Sequence, residues 1–446
     1  MQHVLQDLLH PVAPLRIVLK VFPQKSHLNA TFGLARALVE AGHEIVYLGI
    51  ESQRAHVEAQ GFVCEVEASD VYPSPEYRSH QPRLTFWTIL RHWREVRQAG
   101  RMMRHRFARG DSFDALVERL RPDFLFVDRP YTLFALGLYK HRLPFAMLES
   151  MMNLNRDRGC PPLDTTCVPT GSWWSDLWCE LHWRRYFVKR WILGQIGLRA
   201  DFNRTFVYAL ADTCGVDRSV LNFDRYFHLG LSDMPEILLS NPKLDFPRRP
   251  APNQILAYYP PHLDREEVGG DYRLTKALDR FVAERASGRR LIYCSLGTGG
   301  WRYKGAEQFL RKVAESAIGQ DYNLLVAIGE DFDLAAFPCN EPNIHVCRYA
   351  PQLKVLRHAD LMITHGGMNT LNECFELGVP MIVRPGTKEI DQAGNAVRVR
   401  FQSRARVEVN AGGRSNVTEL LSIRRISAGF YRAINFERSP CAWANL

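Results

Sequence analysis

His27 and Asp128 are the first pair of residues whose types and setting could do chemistry together. His27 lies in the segment PQKSHLNA, directly after an apolar run, and Asp128 closes a second run, DFLFVD. If both runs are strands of one parallel sheet, the loop carrying His27 and the end carrying Asp128 share its carboxyl edge. An imidazole of near-neutral pKa, oriented and charge-stabilised by a carboxylate, is the arrangement for removing a hydroxyl proton as a general base. Position alone carries little, because a lone loop histidine is more often a surface residue. The carboxylate expected at the same edge raises the reading.

A second group centres on His365. The string LMITHGGMNTLNECFELGVP reads as a buried strand ending at Thr364, two glycines, and a helix beginning around Asn369 and Thr370. Gly366 and Gly367 let backbone approach a ligand, and a helix start supplies N–H donors and the positive end of the dipole, which together suit a diphosphate. His365 would donate to a phosphate oxygen, and Asn369 and Thr370 would add side-chain donors. Thr370 and Glu373 also have the spacing of a capping box, in which Glu373 returns to the backbone. Local pattern leaves these two readings open.

These groups need strands to hold them. Residues 15–22 (LRIVLKVF) form a short apolar run, residues 30–41 carry Leu34, Leu38 and Ala41 at helical spacing with Gly42 as a stop, and residues 44–50 (EIVYLGI) read as a second strand. That is the strand–helix–strand unit of a doubly wound sheet. DFLFVD and residues 145–148 continue it. Residues 240–253 (SNPKLDFPRRPAPN) hold four prolines and no periodicity, as a linker would. Alternation resumes at residues 291–296, 323–328, 361–364 and 380–383. The expectation is an α/β chain of two Rossmann-like domains, 1–245 and 246–446, with a ligand between them at the carboxyl ends of their sheets.

At 446 residues, 46% hydrophobic and 24% charged, the chain has material for two cores. Its net charge of +9 predicts attraction to anions in general, without choosing among nucleotide sugars, acidic membranes and nucleic acid. Ten cysteines without a CxxC pair exclude a zinc knuckle and suit a reducing compartment. Neither a secretory leader nor a run long enough to span a bilayer is legible, so a cytoplasmic location is expected. The sequon at Asn29 is then idle, two residues from His27. Asp331-Phe332-Asp333 is a D-x-D triplet of the metal-binding kind, read here as a solvated loop because nothing around it fits that use. No metal and no cofactor are expected.

The stretch 349–396 resembles the nucleotide-sugar signature of family 1 glycosyltransferases, the group of the UDP-glycosyltransferases and the bacterial macrolide-type enzymes. The matching elements are Pro351-Gln352, His365-Gly366-Gly367, Asn369-Thr370, Glu373, Gly378-Val379-Pro380, Pro385, and Asp391-Gln392 with Asn395-Ala396. The resemblance implies a GT-B fold, two Rossmann-like domains facing across a cleft, and an inverting, metal-independent transfer from a UDP-sugar or dTDP-sugar. It implies that Tyr349 stacks on the base and the Ala350 backbone bonds its edge. Gln352 and Glu373 would face the ribose, and His365, Asn369 and Thr370 the phosphates. Asp391 and Gln392 would hold the sugar hydroxyls, and Ser295 and Thr298 would approach base and phosphates. His27 also stands in the family's P-x-x-x-H-x-N entry motif, and Asp128 in its P-D-x-x-x-x-D segment.

The acceptor region, residues 151–235, is the least readable. Trp173, Trp174, Trp178, Trp183 and Trp191 alternate with Arg184, Arg185, Lys189 and Arg190, and residues 83–109 combine Trp87 and Trp93 with eight arginines. Such helices line an apolar acceptor pocket, pack in a core, or lie on an anionic membrane; pocket or core is the preferred reading over peripheral membrane contact. All favour a small hydrophobic acceptor with a hydroxyl, and no binding module for nucleic acid accompanies the basic stretches. After about residue 400 the resemblance stops, so an atypical or truncated carboxyl-terminal end is expected. With it come two alternatives, a non-catalytic nucleotide-sugar-binding protein and, less favoured, a nucleotide-sugar 2-epimerase.

Overall fold

The computed structural model describes residues 4–66, 111–195, 203–260, 272–297, 305–330, 332–338, 341–386 and 391–403, with single helical positions at 90, 91, 94, 98 and 101. Thr298, Asp331, most of the arginine-rich stretch 83–109 with Trp87 and Trp93, and the atypical end beyond residue 403 lie outside the described residues.

Two parallel sheets organise the chain. The larger contains β1 (Arg16–Lys20), β2 (Glu44–Gly49), β3 (Val63–Val66), β4 (Phe124–Asp128) and β5 (Phe145–Glu149). After a short antiparallel pair, β6 (Leu221–Asn222) with β7 (Gly230–Leu231), it adds β8 (Glu236–Leu238) and β9 (Gln254–Leu256). Its order is β3-β2-β1-β4-β5-β8-β9, so the order reverses beside β1, between β1 and β4. The smaller sheet has the order β12-β11-β10-β13-β14, from β10 (Leu291–Ser295), β11 (Asn323–Ala327), β12 (Ile344–Cys347), β13 (Leu361–Thr364) and β14 (Met381–Val383).

Continuous apolar runs make these strands because both faces of a parallel sheet are covered. Along β1, Val18 joins one apolar cluster with Val127 and Met147, while Ile17 and Leu19 join another with Phe126 and Leu148. The first helix runs Lys25–Glu40 and buries Leu28, Phe32, Leu34, Ala35 and Leu38. It stops at Ala41, and Gly42 turns the chain at φ +95°, a conformation open to glycine.

By compactness the described residues fall into two units. The first takes in residues up to 260 together with 366–373 and 391–402, and the second holds most of 272–386. The first unit therefore runs past the boundary expected at 245 and 246. The reason is local: β9 pairs in parallel with β8 and extends the larger sheet, and Asp245 accepts from Arg398 at 2.6 Å inside the same unit. Among the described residues no helix is long and apolar enough to cross a membrane.

Candidate active site

The reversal beside β1 puts the ends of β1 and β4 at one crevice, the usual ligand position of an open α/β sheet. Asp128 is the last residue of β4 and is buried. His27 stands in the first turn of the helix Lys25–Glu40 rather than in a loop, because the helix already starts after Gln24, which holds the N-cap position in extended conformation. His27 Nδ1 and Asp128 Oδ2 are 2.7 Å apart, and the same oxygen accepts from the Phe22 backbone N–H at 3.0 Å. With Nδ1–H donating to the carboxylate, the lone pair of the neutral ring is on Nε2. The His27 side chain keeps 19% of its surface exposed, so the ring is held but reachable. Burial pulls its pKa down, yet the charge and hydrogen bond of Asp128 outweigh that and leave it above the usual histidine value.

Sequence reasoning missed Ser150, whose hydroxyl lies 3.3 Å from the same Nδ1 at the end of β5, the strand next to β4. Its one legible signal was its place after the apolar run 145–148. It also missed what lies beneath the pair. Arg129 and Glu149, the neighbours of Asp128 and Ser150, form a fully buried ion cluster with Arg225 and Glu236. Gln254 and Asn153 extend it by hydrogen bonds. Burial lifts the Glu149 carboxyl, whereas Arg129 and Arg225 overcome burial and hold that of Glu236 low.

The His365 group follows β13. The helix begins at Met368, and the Leu371 N–H already bonds to the Gly367 carbonyl, so Gly367 is the cap and Thr370 is inside the first turn. This removes Thr370 from the N-cap position that a capping box requires. Gly366 has φ +90° and its carbonyl accepts from Asn395, which also donates to Asp391 at 2.9 Å. Ser295 ends β10, paired in register with Thr364, and its hydroxyl accepts from the Gly297 N–H. Gly297, at φ +72°, makes room for His365: a β-carbon there would come within 2.6 Å of the ring. Burial lowers the His365 pKa to about 4, so the ring is neutral at physiological pH and has one N–H to donate.

The remaining residues are placed as follows. Asn369 donates to the Ser26 carbonyl at 2.8 Å, which sets this helix start beside His27. Asp391 is likewise within electrostatic reach of His27, and its own carboxyl is raised by burial. Thr370, Glu373 and Gln392 are buried. Tyr349 is 36% exposed beside buried Ala350, and Gln352 opens a short helix after Pro351. Asp333 caps its own turn by accepting from the Ala335 N–H. Trp183 is buried and donates to the Cys160 carbonyl, but Trp173, Trp174, Trp178 and Trp191 are exposed, against the preferred reading of that stretch as pocket or core. Among the described residues no cluster of His, Cys, Asp and Glu is placed to hold a metal ion.

Residues 304–410 match the family model of the glycosyltransferase family 28 C-terminal domain. Among curated proteins, the chain is 31% identical over 137 residues to an uncharacterized UDP-glucosyltransferase YdhE of Bacillus subtilis (strain 168). That alignment covers 30% of this chain and 34% of the relative, so the match spans about a third of the relative's length. It is 22% identical over 389 residues to 4'-demethylrebeccamycin synthase of Lentzea aerocolonigenes, covering 84% of this chain and 83% of that one. Among solved structures, the glycotransferase of kitacinnamycin shares the fold with a TM-score of 0.58 and 22% identity over 89% of this chain and 86% of that one. Together with the motif string at 349–396, these likenesses make the chain similar to the family 1-type glycosyltransferases, and its fold is that of the GT-B structures.

Proposed function

We propose that the protein transfers a hexose from a nucleotide diphosphate sugar, a UDP-sugar before a dTDP-sugar, to a hydroxyl of a small hydrophobic acceptor, with inversion at the anomeric carbon. The observation that carries this is the 2.7 Å contact of His27 with buried Asp128, which leaves a basic Nε2 on a reachable ring. The acceptor hydroxyl gives its proton to Nε2 and its oxygen attacks C1 of the sugar. The bond from C1 to the diphosphate breaks on the opposite face, and the diphosphate leaves with the electron pair. Asp128 stabilises the imidazolium.

The leaving charge is met by donors. The helix Met368–Leu377 offers its first N–H groups and dipole end, Asn369 and Thr370 their side chains, and neutral His365 a ring N–H. On this reading the transfer needs no metal. Tyr349 and Ala350 take the base, Gln352 and Glu373 the ribose, Ser295 and Thr298 the base and phosphate side, and Asp391 and Gln392 the sugar hydroxyls. The likeness to a UDP-glucosyltransferase of Bacillus supports uridine as the base. The free thiols of Cys64, Cys160, Cys179 and Cys294, all buried, support a reducing compartment, and we place the reaction in the cytoplasm.

The test is incubation with UDP-glucose or dTDP-glucose and a panel of phenolic acceptors, with products resolved by mass spectrometry and NMR. A β-glycoside formed from the α-linked donor is expected. His27→Ala should lower turnover by about 10²- to 10⁴-fold while donor affinity by calorimetry stays unchanged. Unchanged turnover would remove His27 from the mechanism, and donor binding without any product across the panel would favour a non-catalytic protein.

A further inference from the structure

The helix Trp173–Gln195 is apolar on both sides. Its inner face is occupied: Cys179, Trp183, Tyr186, Arg190 and Gly194 recur at helical spacing and are buried. Trp183 bonds to the Cys160 carbonyl, Arg190 to the carbonyls of Phe223 and Arg225, and the Tyr186 hydroxyl accepts from the Phe227 N–H. These bonds fix the rotation of the helix about its axis. The opposite face should then be polar, as on an ordinary surface helix.

It is not. Trp173, Trp174, Trp178 and Trp191 keep 59% to 64% of their surface exposed, and Leu181 and Val188 between them are exposed as well. At about 100° per residue these side chains share one arc of roughly 140°. Arg184 and Arg185 fall within that arc, and Lys189 stands at its margin, all three exposed. The helix has two acids: Asp176 falls outside the arc and pairs with Arg158 at 3.1 Å, and Glu180, at its margin like Lys189, pairs with Arg156 at 2.6 Å and with Arg184 at 3.2 Å. The outward face therefore carries indole rings, aliphatic side chains and net positive charge, with one carboxylate, Glu180, at its edge and shared between Arg156 and Arg184.

We infer that this face docks on an anionic phospholipid bilayer, with the helix lying in the plane of the interface. Indoles combine an apolar ring with one N–H donor and settle at the boundary between acyl chains and headgroups. The arginines interleaved with them meet the headgroup phosphates. Charge also argues against a second copy of this chain as the occupant, since a two-fold contact through this face would set Arg184 and Arg185 against their own equivalents. No residue of this face is one that the proposed transfer uses, so membrane docking stands or falls separately from the transfer reaction.

The experiment is co-sedimentation of the full chain with phosphatidylcholine vesicles, with and without phosphatidylglycerol. Binding is expected on the anionic vesicles and much less on the neutral ones. A variant carrying Trp174→Ser, Trp178→Ser and Trp191→Ser should lose at least about tenfold of that partitioning. A variant with Arg184→Glu and Arg185→Glu should lose at least about tenfold on anionic vesicles alone. Both should keep the wild-type thermal melt, because the altered side chains point outward. Absence of wild-type binding to either vesicle overturns the inference, as does equal binding by the tryptophan variant. Self-association in solution that the tryptophan variant abolishes, without vesicle binding, overturns it in favour of a second copy.

Discussion

Replacing Asp128 by Asn tests the dyad most sharply, because it removes the charge and keeps the shape. Asp128 Oδ2 accepts from His27 Nδ1 at 2.7 Å and from the Phe22 N–H at 3.0 Å. Because a single oxygen takes both bonds, an Asn oxygen in that place retains the Phe22 and His27 contacts without the charge. What is lost is the charge that stabilises the imidazolium formed when the base takes its proton. Two unit charges at that separation attract by about 6 kcal/mol at an effective dielectric near 20. Burial of the imidazolium opposes this and is the largest single influence on His27. The net expectation is a turnover loss of about 10²- to 10⁴-fold, or about 3–5 kcal/mol of barrier, from the lost charge beside the imidazolium. Steady-state rates with UDP-glucose and a responsive phenol, measured across pH, read this directly. In the wild type the acid limb of kcat/KM should lie above pH 6.5, since the His27 pKa is raised and the base works only when neutral. In Asp128→Asn, burial without the carboxylate should carry that limb below 6.5. The raised pKa also means that the pair's stabilisation is present below the unfolded value and is lost as pH climbs through the folded one. The melting deficit of Asp128→Asn should accordingly shrink above neutrality. Turnover within about threefold of wild type, or an unmoved acid limb, would refute the reasoning.

Gly297→Ala places a β-carbon 2.6 Å from the His365 ring at φ +72°, so a stability loss of about 1–2 kcal/mol is expected. Displacement of His365 should accompany it and weaken donor affinity several-fold in calorimetry. Wild-type affinity would detach His365 from the phosphates. Arg225→Met leaves Glu149 and Glu236 with one buried partner, Arg129, and should cost about 3–5 kcal/mol in denaturant unfolding. A loss below about 1 kcal/mol would mean that the cluster tolerates an unpaired carboxylate, against that expectation.

The strands were legible because burial on both faces writes itself as unbroken apolar runs, and LRIVLKVF and DFLFVD became β1 and β4. His27 and Asp128 were legible for the same reason, each following or closing such a run. Ser150, the contact of Asn395 with the Gly366 carbonyl, and the space that Gly297 leaves for His365 were not. They depend on which segments meet in space, and no local pattern encodes that. The Trp173–Gln195 helix misled for a different reason. Periodicity finds a buried face by contrast, and a helix apolar on both sides offers none. The stretch 240–253, read as a linker, holds no strand, and the three residues that extend the larger sheet, 254–256, begin directly after it.

His27 and Asp128 are separated by 101 positions along the chain, and they come together only once β4 has settled beside β1. A nascent or partly folded chain that has made β1, β2 and the helix between them would carry a histidine with an ordinary titration. The final value appears when a long loop has closed. The NMR titration of this imidazole is therefore expected to report sheet assembly, and the proposed proton transfer needs the central strands to have met.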